Sequence, residues 1–298
     1  MKPIIFFVGS TATGKSDTAL SMAQKYNADI INSDSLQCYK ELSIGTAKPS
    51  TEVLSSHPHH LFDYVSAPEV LTAGKYRDSA IETIEALRNK KPLFFVGGSG
   101  FYIQAIDKGM YDVPRVPEDI TKKLEEEFSI FPLEKFYEEL KARDPEYAKT
   151  ISYADEYRIF RALNLIRFLG KSMTQVKSEF TPDPIKGPKL KIGLKLEKAE
   201  LRKKVRKRAI LMLEEGFVEE VELLLDKDLR DWAPLKSVGY KEVALYLDKK
   251  IRKDQLIERI VTSTMQLAKK QMTWFKRCLL YTSPSPRDAT LSRMPSSA

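Results

Sequence analysis

The first hundred residues of the chain alternate short apolar runs with amphipathic stretches. The runs Ile4–Val8, Ala28–Asn32 and Pro92–Val96 indicate β-strands, and the unbroken apolar character of the last one predicts burial on both of its faces. Asp17–Tyr26 and Tyr76–Asn89 carry apolar residues at helical spacing. Strands that alternate with helices in this way predict an α/β fold with a parallel sheet.

The middle of the chain changes to charged helical sequence. This stretch begins at Val113, ends at about Lys186, and is broken by Pro114, Pro117 and Pro132, which predicts a helical insertion beside the sheet. The last residues are rich in Ser and Pro, lack periodicity, and are typical of linker read-through, so we exclude them from the fold. The predicted segments are a first part of the core at 1–112, the insertion at 113–186, a completion of the core with basic helices at 187–277, and a non-native tail at 278–298.

Two arginines stand out in the predicted insertion. Arg158 and Arg161 are three residues apart, so they are neighbours on one helix face, where they could contact phosphate groups. The alternative is a solvated helix surface on which they pair with Asp155 and Glu156.

A strongly basic helix is predicted near the end of the core. It spans Lys198–Glu215 and follows a strand at Lys189–Leu196. Arg208 falls within its apolar stripe, where a guanidinium needs a partner or a ligand cleft. The alternative is an arginine that reaches out of the stripe to solvent. The apolar residues of the stripe are Leu201, Val205 and Met212.

Composition narrows the class of protein. With 298 residues the chain can bury a large core, and its net charge of +8 is compatible with a polyanionic partner. Two cysteines, Cys38 and Cys278, provide no disulfide framework, which is typical of a reducing compartment. No apolar run is long enough to span a membrane, and Met1-Lys2-Pro3 leads directly into the first strand. We therefore expect a cytoplasmic protein with no membrane association.

The segment GSTATGKS, from Gly9 to Ser16, lies between the first predicted strand and the first helix. Its glycines allow backbone N–H groups to converge on one point, and the following helix adds its positive N-terminal end. Lys15 supplies a cation for a terminal phosphate, and Ser16 offers a hydroxyl to a phosphate-bound Mg²⁺. This pattern predicts a phosphate loop. The alternative is a loop that matches the GxxxxGK(S/T) motif by chance. The residues predicted to bind a diphosphate are Gly9, Ser10, Thr11, Ala12, Thr13, Gly14, Lys15 and Ser16.

Two further features lie at the ends of predicted strands. Asp34 follows the second strand, at the edge of the sheet where α/β proteins bind ligands, and could accept a proton or hold an attacking amine. Its alternative is a helix N-cap. Gly97 and Gly98 follow the third predicted strand, where a hydrolysing phosphate-loop enzyme usually has an acidic residue. This absence argues against an ATPase and for a diphosphate leaving group.

The histidines His57, His59 and His60 are clustered in the sequence. Clustering admits a metal site, but no cysteine or carboxylate stands at zinc-finger spacing from them. We therefore favour the absence of a metal site here.

Several segments, together with GSTATGKS, are similar to one family. The segment NSDSLQCYKELSIGTAKP, from Asn32 to Pro49, closely resembles the tRNA dimethylallyltransferases, also called tRNA isopentenyltransferases. The resemblance covers residues 4 to about 277. Lys204 departs from it, because the family usually has Arg at that position. Further similar segments are GGSGFYIQA from Gly97, Asp144-Pro145, DEYRIFRAL from Asp155, KVRKRAILMLEEGF from Lys204, VGYKE from Val238 and AKKQMTWF from Ala268.

The resemblance implies an α/β fold with a P-loop NTPase-like core, a parallel sheet and a helical insertion domain. It implies transfer of a dimethylallyl group from dimethylallyl diphosphate to N6 of the adenine adjacent to the anticodon, position 37 of tRNA. The cofactor implied is Mg²⁺, the partners are tRNA and dimethylallyl diphosphate, and we expect a monomer.

The resemblance also implies roles for individual residues. Asp34 would orient the attacking amine and take its proton, Arg208 would meet the diphosphate, and Thr11 would line the same crevice as a third catalytic residue. The residues implied in tRNA binding are Asp34, Ser35, Leu36, Gln37, Ser99, Tyr157, Arg158, Arg161 and Lys269. Trp274, in the last motif, could stack on a base or pack on the core, and we favour the core.

Three other functions share some of these features. A nucleotide kinase would share the phosphate loop, but should have an acidic Mg²⁺ ligand after the third predicted strand. A noncatalytic RNA-binding protein would explain the charge and leave Asp34 without a role. An enzyme that prenylates free adenine nucleotides would share the phosphate loop and Asp34, and the extensive basic insertion favours tRNA over it.

Overall fold

The computed structural model of the chain describes residues 1–111 and 113–278, so the predicted tail lies outside the described residues from 279 onward. The strands of the described residues are β1 Ile4–Gly9, β2 Asp29–Asn32, β3 His59–His60, β4 Leu93–Val96 and β5 Lys189–Leu194. They form one parallel sheet in the order β3-β2-β4-β1-β5. The predicted α/β fold with a parallel sheet is confirmed.

The chain divides into two compact units. The first comprises Met1–Ile106 and the described chain from Lys186 to Cys278, and the second comprises the described residues of Asp107–Ile185. Helices of the first unit are α1 Lys15–Tyr26, α2 Thr51–Ser56, α3 Ala73–Leu87, α4 Gly100–Asp107, α10 Lys198–Glu214, α11 Phe217–Asp226, α12 Tyr240–Leu247 and α13 Lys253–Cys278, with a 3₁₀ turn at Ala233–Lys236. Helices of the second unit are α5 Glu118–Ile130, α6 Leu133–Arg143, α7 Pro145–Ala148, α8 Glu156–Leu169 and α9 Met173–Glu179.

The core of the first unit lies on both faces of the three central strands. All four residues of β4 are buried, as its apolar run requires, and all four of β2 are buried although its end residues, Asp29 and Asn32, are polar. Helix α1 packs Ala19 and Ala23 against Ile30 and Phe94 of the sheet. Because the strands are parallel, the carboxyl ends of β1, β2 and β4 meet at one edge, and the loops that follow them form the site.

Three details of local structure go beyond or differ from the sequence predictions. Strand β3 was not predicted, because two residues, His59–His60, are too short to show a period. Helix α3 begins at Ala73, three residues before the predicted start, because the Thr72 hydroxyl caps it by accepting from the Lys75 N–H. The third buried residue of α10 is Ala209, whereas Met212 is only half-buried.

The second unit has a hydrophobic core of its own, formed by α5, α6, α7 and α8. Asp144 is buried beside this core and caps α7, since its carboxylate accepts from the Tyr147 N–H. The same carboxylate accepts from the N–H and the hydroxyl of Thr174 at the start of α9. The Asp-Pro pair of the sequence therefore fixes two helices. The largest residues of this core are Leu124, Phe136, Leu140, Ile159, Leu163 and Ile166.

Candidate active site

The phosphate loop, Gly9–Ser16, turns sharply between β1 and α1. Gly9, Ala12 and Gly14 have positive φ values of 144°, 60° and 84°, which let the loop fold back on itself. A side chain at Gly9 would collide with the carbonyl of Leu194 in β5, so this position requires glycine. The Thr13 hydroxyl donates to the Ser10 carbonyl at 2.8 Å, which closes the turn. The loop is therefore held in one conformation at the carboxyl edge of the sheet.

A cavity lies above this loop, within the first unit. The phosphate loop and α1 form one wall, the segment after β2 and the loop at residues 46–49 form another, and Gly97 and Gly98 lie between them. Its polar lining residues are Thr11, Thr13, Lys15, Ser16, Asp17, Asp34, Gln37, Thr46, His59, Arg208 and Gln271. Its apolar lining residues are Ala12, Leu20, Ala47, Pro49, Val53 and Val96. One cavity thus combines a phosphate loop, a carboxylate and apolar surface.

Two cations and two carboxylates set the charge of the cavity. Burial lowers the pKa of the Lys15 ammonium to about 8, the neighbouring Asp34 opposes this shift, and Arg208 adds to it. Burial also lowers the pKa of Arg208, and Asp17 opposes that shift. In the free protein, the Lys15 ammonium donates to the Ser10 carbonyl at 2.6 Å. Two partly desolvated cations in one cavity favour an anionic ligand.

Asp34 is fixed by the loop that follows β2. Its N–H donates to Oδ1 of Asn32 at 2.8 Å, and its own Oδ1 accepts from the Leu36 N–H at 3.0 Å. No described helix begins there, so the alternative of a helix N-cap is wrong and the carboxylate forms a short turn. The second oxygen, Oδ2, approaches Gly98 across the cavity. This arrangement leaves Oδ2 available to a ligand.

The ends of β2 and β4 are locked together beside Asp34. The Ser99 hydroxyl accepts from the Ser35 N–H at 2.9 Å, and the Ser99 N–H donates to the Ser33 carbonyl at 3.1 Å. Gly97 packs so closely on the backbone of Ser33 that a side chain there would collide with it. Gly97, one of the two glycines at the position where a hydrolysing enzyme usually has an acidic residue, therefore allows this close contact.

Gln271 of α13 lines the cavity and was missed as a site residue. Its Oε1 accepts from the Thr11 N–H at 2.8 Å, and its Nε2 donates to the Gly98 carbonyl at 3.1 Å. It joins the phosphate loop to the loop after β4. The available signal was a polar residue on the inward face of a helix, one turn after Leu267 and one turn before the buried Phe275.

The other predicted residues divide into two groups. Thr11 to Ser16, Asp34, Gln37 and Arg208 line the cavity. Gly9, Ser10, Ser35, Leu36 and Ser99 do not line it, but they adjoin lining residues in the chain or are hydrogen-bonded to the segment after β2. Lys269 is exposed on α13. Tyr157, Arg158 and Arg161 are exposed on α8 of the second unit, and Arg158 forms an ion pair with Asp155 at 3.3 Å. Trp274 is half-buried against Gly100, in agreement with the favoured packing role.

Two of the three histidines, His57 and His60, bond across from the β3 segment to residues of β2 and its approach. The Nε2 of His57 bonds to the Ala28 carbonyl at 2.7 Å, and the Nε2 of His60 bonds to Oδ2 of Asp29 at 3.0 Å. The Nδ1 of His59 bonds to the His57 carbonyl at 2.7 Å. Over residues 1–111 and 113–278 no group of three or more His, Cys, Asp or Glu side chains is arranged to hold a metal ion. No helix in the same residues is long and apolar enough to cross a membrane.

A phosphate loop between β1 and α1, in a parallel sheet with a carboxylate at the end of the neighbouring strand, defines an α/β protein with a P-loop NTPase-like core. Comparison with known proteins identifies the particular family. The model of the IPP transferase family matches residues 37–278, and the chain belongs to that family.

Relatives of known name agree with this assignment. The chain is 49% identical to a tRNA dimethylallyltransferase of Bdellovibrio bacteriovorus, over 92% of this chain and 90% of the relative. A solved tRNA isopentenylpyrophosphate transferase of Bacillus halodurans is 29% identical, with a TM-score of 0.66 over 93% of this chain and 87% of that one. A solved eukaryotic dimethylallyltransferase, described as acting on tRNA, is 27% identical, with a TM-score of 0.80 over 92% of this chain and 70% of that one. The predicted family is confirmed.

Proposed function

We propose that this protein transfers the dimethylallyl group of dimethylallyl diphosphate to N6 of the adenine adjacent to the anticodon, position 37 of tRNA. The bond between the allylic carbon and the diphosphate oxygen breaks, and a bond from that carbon to N6 forms. The N6 proton passes to Asp34 and diphosphate leaves. The observation that carries the proposal is the presence of Asp34, the phosphate loop and Arg208 in one cavity of a chain that belongs to this family.

The diphosphate half of the donor matches one end of the cavity. Its charge grows as the allylic bond breaks, and Lys15, Arg208 and the N–H groups of the phosphate loop would stabilise it. The dimethylallyl group needs apolar surface, which Leu20, Pro49 and Val53 offer in the same cavity.

Magnesium would enter with the donor. Mg²⁺ uses few protein ligands and takes most of its oxygens from phosphates and water. The Ser16 hydroxyl is exposed to the cavity and Asp17 adjoins it, so these residues fit an ion that the diphosphate carries. Bound there, the ion would neutralise charge on the leaving diphosphate.

The acceptor adenine has to leave the stack of the anticodon loop to reach Asp34. An unstacked base costs a few kcal/mol, which contacts around the base have to offset. Gln37 is on the same segment as Asp34 and lines the cavity. This position supports a role for Gln37 in holding the base. Because the proposed acceptor is tRNA, we expect the protein to act in the cytoplasm.

The test is Asp34→Asn, assayed with labelled dimethylallyl diphosphate, Mg²⁺ and unmodified tRNA. Asparagine keeps the acceptor for the Leu36 N–H but cannot take a proton, so we expect the rate of transfer to fall by about 10²–10⁴-fold with the fold intact. The exposed Asp78→Asn is the matched control and should keep full activity.

Two results would contradict the proposal. An Asp34→Asn variant as active as Asp78→Asn would show that Asp34 is not the base of the reaction. Label in free AMP and none in tRNA, from the unaltered protein, would make a nucleotide the acceptor.

A further inference from the structure

Glu220 of α11 makes an unusual set of contacts with a loop far away in the sequence. Its Oε2 accepts from the N–H groups of Ser43 and Ile44 at 2.9 and 2.8 Å, and its Oε1 accepts from the Gly45 N–H at 3.1 Å. The Tyr240 hydroxyl donates to the same Oε1 at 2.7 Å. Three successive N–H groups that converge on one carboxylate form an anion-binding concavity, filled here by a side chain of the protein itself.

Packing holds the same loop from a second side. Gly45 lies against the rings of Phe217 and Tyr240, and a Cβ at this position would collide with both rings. The two rings themselves meet edge to face with their centroids 5.0 Å apart. The loop is thus fixed on α11 and α12 by hydrogen bonds and by close contact.

The other end of this loop forms a wall of the cavity. Thr46 and Ala47 line the cavity, and their carbonyls accept from Nε2 of Gln37 at 3.0 and 3.2 Å. Both N–H groups of the Gln37 amide are therefore used, and its Oε1 is the atom left for a ligand. An acceptor oxygen cannot hydrogen-bond a diphosphate, which offers only acceptors when ionised, but it suits an exocyclic amine.

We propose that Glu220 is a positioning residue for the acceptor base. It holds the loop at Ser43–Gly45, the loop holds the Gln37 amide in one orientation, and Gln37 presents its Oε1 to the amine. Glu220 contacts neither substrate in this arrangement. The role rests on the proposed function, because it concerns the acceptor of the same transfer.

The test compares Glu220→Ala, Gln37→Ala and the double variant in the full-length protein, with Glu222→Ala as the matched control. Glu222 is on the same helix and is exposed, and the hydrogen bonds from the N–H groups of residues 43–45 go to Glu220 and not to Glu222. We expect Glu220→Ala to lower kcat/KM for tRNA by about tenfold, because three loop N–H groups lose their acceptor. The KM for dimethylallyl diphosphate should change by less than about twofold, since the phosphate loop is separately held.

Coupling between the two residues separates positioning from general destabilisation. If Glu220 acts through Gln37, the double variant should be no worse than Gln37→Ala alone, whereas independent losses would multiply. Amide hydrogen exchange should also speed up at residues 43–45 in Glu220→Ala, and remain unchanged in Glu222→Ala.

The outcomes distinguish the two proposals. An active wild type with a Glu220→Ala variant as active as Glu222→Ala, or with multiplicative losses in the double variant, would overturn the role of Glu220 alone. Unchanged exchange at residues 43–45 would overturn it as well, whatever the activity. A wild type that transfers no label to tRNA would overturn the proposed function and this role together.

Discussion

Lys15 is a buried cation whose partner in the free protein is a neutral carbonyl. It lies in a cavity with Arg208, and Asp34 and Asp17 only partly compensate the two charges. Keeping such groups desolvated costs stability, and a diphosphate would restore their interactions. The cavity is therefore preorganised to bind an anion, and this arrangement lowers the stability of the protein without a ligand.

The pKa of Lys15 predicts a proton that is taken up with the ligand. At pH 8 about half of the Lys15 side chains are neutral in the free protein, because their pKa is about 8. A bound diphosphate favours the charged form and raises this pKa, so binding at pH 8 should take up roughly half a proton. Affinity should accordingly weaken as the pH rises above 8.

Calorimetry with inorganic diphosphate in two buffers of different ionisation enthalpy measures this uptake. Lys15→Met should abolish the part of the proton uptake that the protein contributes. Lys25→Met, at an exposed site of the same helix, should retain it. Equal uptake in all three proteins would mean that another group, or the diphosphate itself, supplies the whole effect.

Helix α13 stabilises the site from outside the sheet. One amide, that of Gln271, accepts from the Thr11 N–H and donates to the Gly98 carbonyl, so the phosphate loop and the loop after β4 share one support. A side chain at Gly98 would collide with Gln271, which shows how closely the helix approaches. The C-terminal helix thus completes the site, although the phosphate loop lies at the other end of the chain.

Gln271→Ala should therefore impair the site without unfolding the protein. The variant leaves one N–H and one carbonyl unpaired near the cavity, which typically costs about 1–3 kcal/mol in total, so we expect kcat/KM to fall by about tenfold or more. Gln266→Ala, at an exposed position of the same helix, is the control. Steady-state transfer assays and thermal unfolding of both variants check this, and equal kinetics in the two would contradict it.

The hydrophobic pattern of the sequence predicted those strands that are determined by their own residues. Strands β1 and β4 were found from their unbroken apolar runs and β2 from the short run around Ile30 and Ile31, and Asp34 was found because it follows β2. The contacts of Gln271 and Glu220 could not be predicted from the sequence. Their partners lie 260 and about 176 residues away, and only the folded chain brings them together. In α10, the stripe was predicted from its large apolar residues, and the buried Ala209 was not singled out because a small side chain contributes little hydrophobicity.

Charge is a property of the whole molecule, and its net value of +8 is distributed unevenly. On α10, Arg202 and Arg206 both pair with Glu258, and Lys204 lies near Glu200. Lys203 and Lys207 of the same helix are exposed, and within the described chain no carboxylate pairs with them. Cations without an internal partner are the ones that can replace counterions on a nucleic acid.

Binding of tRNA should consequently depend on salt through these lysines. Each phosphate contact contributes about 0.7 to 0.9 to the slope of log affinity against log salt, so the double variant Lys203→Gln, Lys207→Gln should flatten this slope by about 1.4 to 1.8. The matched control is Lys250→Gln, because Lys250 is already paired with Asp248 at 3.1 Å and should contribute little. Titrations of unmodified tRNA over a range of potassium chloride concentrations measure the slopes. If the double variant kept the wild-type slope, the basic face of α10 would lie outside the tRNA contact, and the charge of the molecule would have to act through other residues.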